Sequence, residues 1–134
     1  MSRPSVNWRI EMASRWVVVG AIAGAVGVIL GAFGAHGLKE KISPEMLAIF
    51  QTGVRYHMIH ALALLCVGWV TDRRPSPWAR ASGWAFMIGI LLFSGSLYLL
   101  AVTGIRRLGA ITPLGGLAFI VGWLALARAA MRGR

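Results

Sequence analysis

The 134-residue chain is 57% hydrophobic and only 13% charged, about half the usual charged share of a soluble domain, and its mean hydropathy is +0.70, which excludes an ordinary soluble domain. A net charge of +10 does not make it a nucleic-acid binder, because its cations bracket long uncharged stretches instead of gathering among polar residues on one face. One cysteine excludes an internal disulfide and a Cys-based zinc site. A bilayer core about 30 Å thick asks for about 20 mainly apolar residues per helix, and four stretches qualify. The first, residues 16–36, is uncharged between Arg15 and Lys39. It exceeds the roughly 7 to 15 residues of a signal-peptide core and is expected to be a retained span. The second, 45–71, opens with Ser43-Pro44-Glu45, a capping serine, a proline at the first helical position and an acid in the first turn. Its fully apolar part, 61–70, is too short to cross, so the membrane portion reaches back through His60, His57 and Arg55. The third span is expected over 78–102 and the fourth over 113–128, where Thr112-Pro113 repeats the cap-then-proline start.

Nine of the 14 Lys and Arg fall on one side of such a layout: Arg3, Arg9, Arg15, Arg73, Arg74, Arg80, Arg128, Arg132 and Arg134. The other side receives Lys39, Lys41, Arg106 and Arg107. The positive-inside rule then places both termini in the cytoplasm. The connections, roughly 37–43, 72–77 and 103–112, are short, which makes neighbours antiparallel. The sequence thus predicts an all-α membrane protein, a single four-helix up-down-up-down bundle over 1–134. In the first helix Gly20, Gly24, Gly27, Gly31 and Gly34 recur at spacings of three and four. Such small-residue faces let backbones approach in lipid, where hydrophobicity does not drive association. They serve either packing within the bundle or self-association.

Polar residues concentrate at the non-terminal end. Gln51, Thr52, Arg55, Tyr56, His57 and His60 lie in the second helix, His36 at the end of the first, Ser94, Ser96 and Tyr98 in the third, and Thr112 at the start of the fourth. An ionisable residue inside a membrane is by default a functional hypothesis, although Arg55 close to the interface can also snorkel to the headgroups as an anchor. The opposite half is apolar: Val17, Val18, Val19 and Ile22 face the same level as Leu62, Leu64, Leu65, Cys66 and Val67. A channel through one protomer is therefore not expected. The two readings of the polar end are a binding pocket and a polar lock between helices, with His60 near the centre of one connected network bonded to Ser94, Ser96, Tyr98 or Thr112. Helices two and four also point their N-termini that way, which favours an anion such as a phospholipid headgroup.

More specific chemistries are weaker. His36, His57 and His60 are the residues for a three-imidazole metal site, or for a haem ligated by two of them, but no carboxylate or thiolate accompanies them. None of the four acids lies within the interior of a span, Glu45 standing at the very start of the second, whereas a proton-coupled transporter would want one there. Ser94 in Leu92-Phe93-Ser94-Gly95 lacks the glycine two positions earlier that marks a nucleophile elbow, so no catalytic residue is assigned and no cofactor is implied.

Four strings, Gly31-Ala32-Phe33-Gly34-Ala35-His36-Gly37-Leu38, Phe50-Gln51-Thr52-Gly53-Val54-Arg55-Tyr56-His57, Phe93-Ser94-Gly95-Ser96-Leu97-Tyr98 and Ile111-Thr112-Pro113-Leu114-Gly115-Gly116, resemble in order the motifs of a family of small bacterial membrane proteins. It is the UPF-type group called domain of unknown function 423, to which the eukaryotic transmembrane protein 256 is similar. The resemblance implies a multi-pass protein of the bacterial inner membrane and no activity. The expectation is a non-catalytic protein that binds lipid or serves as an accessory component, with membrane lipids, further copies or a larger membrane complex as partners and no nucleic acid. An oligomeric small-molecule transporter or channel, and a metal- or haem-binding protein, are the alternatives.

Overall fold

The computed structural model of the chain describes residues 6–131, which are helical almost throughout. Helix α1 (Val6–Ala32) continues through a π-helical turn, Phe33–Gly37; α2 is Pro44–Arg73; α3 (Pro77–Gly89) and α4 (Gly95–Thr103) are joined into one rod by a second π turn, Ile90–Ser94; a 3-10 turn, Arg106–Ala110, leads into α5 (Thr112–Met131). Four rods result, each long and apolar enough to cross a bilayer. Successive rods run antiparallel: Gly20 meets Ala61 while Gly34 meets Phe50, and Ser82 bonds to Gly122 while Ser96 bonds to Thr112. The chain is an all-α, four-span membrane bundle. Of the cations counted for orientation, Arg3, Arg132 and Arg134 lie outside the described residues, as does the Arg9 side chain.

Local chemistry sets the ends. The Ser43 hydroxyl accepts from Met46 N–H at 3.2 Å with Pro44 behind it, and Ser76 with Pro77 does the same for Ala79 N–H at 3.2 Å; each satisfies an otherwise orphaned helix-start donor. Helix α4 stops at Gly104, whose φ of +72° suits glycine. Thr112 does not cap α5 as its spacing implied. Its hydroxyl is bonded to Ser96 instead, and the amides of Leu114 and Gly115 bond back to the Ile111 carbonyl within the preceding turn.

The rods are not arranged as a closed square. Helix α1 rests chiefly on α2, α5 chiefly on α3, and α2 occupies the middle, also touching α3, α4 and α5. The core gathers Trp16, Ala63, Leu64, Val67, Phe86 and Phe119. Of the five glycines expected to pack, four face α2. A Cβ on Gly20 would lie 2.9 Å from the Ala61 carbonyl oxygen, on Gly34 2.9 Å from the Phe50 ring and on Gly31 3.3 Å from Val54, while on Gly27 it would strike the Met58 sulfur. Gly24 is the correction, because a Cβ there would meet nothing within 4 Å. The outward faces carry Ile22, Val28, Ile29, Leu62, Leu91 and Leu124, all exposed, as lipid contact requires.

Candidate functional site

The midpoint of α2 carries two buried histidines with different jobs. His57 Nε2 lies 2.8 Å from the Ala23 carbonyl oxygen of α1, and Nδ1 lies 3.0 Å from the Tyr98 hydroxyl of α4. A carbonyl only accepts, so Nε2–H donates to Ala23, and in the neutral ring Nδ1 then accepts from the Tyr98 O–H. The ring pins α1 and α4 to α2. Close approach is secured by Gly53, where a Cβ would sit 2.9 Å from the Tyr98 ring. Ser94, in the π turn, donates to the Gly53 carbonyl at 2.7 Å. Ser96 donates to the Phe93 carbonyl at 2.9 Å and accepts from Thr112 at 2.7 Å, tying α4 to α5.

His60 has a separate set of partners. Its Nδ1–H donates to the Tyr56 carbonyl at 2.6 Å, and Nε2 accepts from the Trp123 indole N–H at 3.1 Å. An indole N–H only donates, so His60 is neutral with its proton on Nδ1, the opposite tautomer to a neutral His57. Phe119 stacks on the His60 ring with centroids 3.5 Å apart and planes 7° apart. The expected network centred on His60 is therefore corrected. The hydroxyls of Ser94, Ser96, Tyr98 and Thr112 are engaged elsewhere, and the imidazole is completed by Trp123, an indole that looks in sequence like one more apolar residue of its span. Ser82 was likewise not singled out; it is fully buried and donates to the Gly122 carbonyl at 2.9 Å, joining α3 to α5.

The remaining expected residues are spread out. His36 and Gln51 are exposed, and Thr52 donates to the Ala48 carbonyl of its own helix at 3.0 Å. The three-imidazole alternative fails on geometry, since His36 stands apart and both ring nitrogens of His57 and His60 are already bonded to protein. The same commitments leave neither histidine a lone pair for haem.

Beside the His60 stack, a groove of about 770 Å³ opens between α2 and α5. Tyr56, Phe93, Phe119 and Trp123 form its ring-faced wall, Pro113, Gly116 and Leu117 its α5 edge, and Ile59 and Ile120 its lips. Arg55 is its only charged lining residue, and it is exposed. At about 1.5 Å per residue Arg55 stands roughly 24 Å along α2 from Thr71, so in a core about 30 Å thick it sits about one turn below the far boundary. From that depth a guanidinium reaches the headgroup layer.

A family model described as Protein of unknown function (DUF423) matches residues 30–116. The chain is 49% identical over 118 residues to the UPF0382 membrane protein YwdK of Bacillus subtilis, covering 87% of this chain and 96% of the relative. It is 41% identical over 116 residues to a UPF0382 membrane protein of Haemophilus influenzae, covering 87% and 93%. It is 39% identical over 122 residues to the UPF0382 inner membrane protein YgdD of Escherichia coli, covering 90% and 93%. No solved structure matches the chain.

Proposed function

For a chain that belongs to the DUF423 family of membrane proteins, we propose a non-catalytic role as a lipid-binding accessory component of the bacterial inner membrane, holding one phospholipid in the groove between α2 and α5. The observation that carries this reading is the pairing of an apolar, ring-lined groove with a single cation, Arg55, at its rim. An acyl chain gains dispersion contacts along Phe93, Phe119 and Trp123, and the phosphate meets Arg55 in a charge-assisted contact. The wall is rigid because the Trp123, His60 and Phe119 rings are fixed to one another by the indole hydrogen bond and the stack. A pre-formed groove binds without first ordering its own side chains.

The test is native mass spectrometry of the purified protein with phosphatidylglycerol. Arg55→Gln should weaken retention about tenfold, as expected for losing a charged hydrogen bond worth about 1.5 kcal/mol, while Arg55→Lys retains most binding. Gly116→Phe, which fills the groove, should abolish it. Equal retention by wild type, Arg55→Gln and Gly116→Phe overturns the proposal.

A further inference from the structure

The opposite end of the bundle holds a second, smaller cavity, about 170 Å³, under the turn between α2 and α3 and beside the first turns of α1. Thr71, Pro75, Ser76, Pro77 and Arg80 line one side and Trp8 and Met12 the other. Thr71 is only 5% exposed, yet its hydroxyl has no hydrogen-bond partner among the described residues. Three other helical threonines have a described bond: Thr52 donates to Ala48 at 3.0 Å and Thr103 to Leu99 at 2.5 Å, each the carbonyl four residues back, and Thr112 bonds to Ser96. A helical threonine has two accessible χ1 rotamers, and the back-bonded one is the usual resting place for a buried hydroxyl. Thr71 forgoes that bond while forming a wall of the cavity, so turning its hydroxyl into the cavity sacrifices no bond among the described residues.

The charges around the cavity point to its occupant. Arg73 lies over the Trp69 ring at 4.9 Å, and Arg74 donates to the Ala130 carbonyl. Arg80, exposed at the mouth of the cavity, has no ion pair or hydrogen bond from its guanidinium among the described residues. The cavity also borders the start of the thirteen-residue helix α3, capped by Ser76, whose dipole favours an anion there. Asp72, the acid of this turn, lines a different depression with Trp69 and Leu65. The volume equals five or six waters at about 30 Å³ each, enough for a phosphate group and too little for a nucleotide.

We infer that this cavity is a phosphate-binding site in which Arg80 pairs with the anion and Thr71 donates its hydroxyl to it, at the membrane face that carries both ends of the described chain. Basic pockets between helices at such a face take anionic headgroups, so the phosphate is supplied either by a phospholipid of that leaflet or by free phosphate. The site shares no residue with the groove at Arg55 and stands without it.

The test uses full-length protein purified in a detergent with an uncharged headgroup, with phosphatidylglycerol and inorganic phosphate as probes and native mass spectrometry as the readout. Arg80→Gln should weaken retention of one bound lipid about tenfold, and the near-isosteric Thr71→Val about threefold. Arg128→Gln, another cation at the same end, should leave retention unchanged. Arg55→Gln should remove a different lipid, so that failure of the groove and failure of this site are read separately. Displacement of the Arg80-dependent lipid by excess inorganic phosphate assigns the site to free phosphate, and persistence assigns it to the headgroup; either result supports the site. Unchanged retention in both Arg80→Gln and Thr71→Val overturns it, as does an equal loss in Arg128→Gln, which would reduce the effect to diffuse charge.

Discussion

A Cβ placed on Gly115 would lie 2.7 Å from the Cα of Phe93: the first turn of α5 meets the π turn Ile90–Ser94 backbone against backbone. The wider π turn projects Phe93 into the groove wall, where its ring lies 4.5 Å from Tyr56 and 5.4 Å from Phe119. Gly115→Ala should therefore destabilise the protein by about 2 kcal/mol, the usual cost of forcing an extra methyl into a packed contact that cannot yield. Gly116→Ala should be close to neutral, since its Cβ would lie 3.8 Å from the Phe93 ring. Thermal unfolding in detergent of the two neighbouring variants checks the contrast, and equal midpoints would refute it.

The Tyr98 to His57 hydrogen bond is a second measurable quantity. In membrane bundles such side-chain bonds contribute about 0.6 kcal/mol on average and at most about 1.7 kcal/mol. Tyr98→Phe should cost an amount in that range, and a double-mutant cycle with His57→Phe should return the same coupling. His57→Phe alone should cost more, because it also removes the bond to Ala23 and takes the imidazole partner from the half-buried Tyr98 hydroxyl. A coupling of zero would mean that the two groups do not meet in the folded protein.

His60 offers a way to separate stacking from hydrogen bonding. His60→Phe keeps a ring against Phe119 and loses the Trp123 bond, so about 1 kcal/mol is expected. His60→Ala empties the centre of the ring stack and should cost about 3 kcal/mol. Chemical or thermal unfolding gives the order, and the two variants being equally damaged would show that the hydrogen bond, not the stack, holds α5.

The α1 interface separates glycines that are adjacent in the sequence pattern. Gly20→Leu should lower stability by several kcal/mol, because its Cβ alone already crowds the Ala61 carbonyl. Gly24→Leu should leave the monomer unchanged. A loss of oligomer size on size-exclusion chromatography in Gly24→Leu alone would reveal a second copy of the chain on that face.

The spans were legible because uncharged runs of membrane length are a one-dimensional property, and the Ser43-Pro44 start because capping is local. Most of the α1 packing face was legible too, for spacings of three and four define a stripe whatever the partner. Gly24 lies at an edge of that stripe, about 40° from Gly20 at 100° per residue, and only the path of α2 decides that nothing reaches it. The partner of His60 was hidden for a similar reason. Pairing His60 with Trp123 requires the register between α2 and α5, and an indole in an apolar run carries no local sign that its N–H is committed. The two π turns left no mark in the residue pattern, although one of them sets the direction of Phe93.

Orientation in the membrane is the remaining prediction. The loop holding Lys39 and Lys41 and the turn holding Arg106 and Arg107 lie at one end of the bundle, where Arg106 pairs with Glu45 at 3.5 Å in an exposed contact. The described cations Arg15, Arg73, Arg74, Arg80 and Arg128 lie at the other end, and the Lys and Arg excess on that side predicts that it faces the cytoplasm. Cys66 is the single cysteine and is exposed on the apolar flank of α2, so Cys66→Ala gives a silent background for labelling. On that background, Lys39→Cys and Arg107→Cys should react in intact cells with a membrane-impermeant maleimide, whereas Arg73→Cys should react only after permeabilisation. Labelling of Arg73→Cys in intact cells, with Lys39→Cys protected, would invert the topology and move the Arg80 cavity to the outer face.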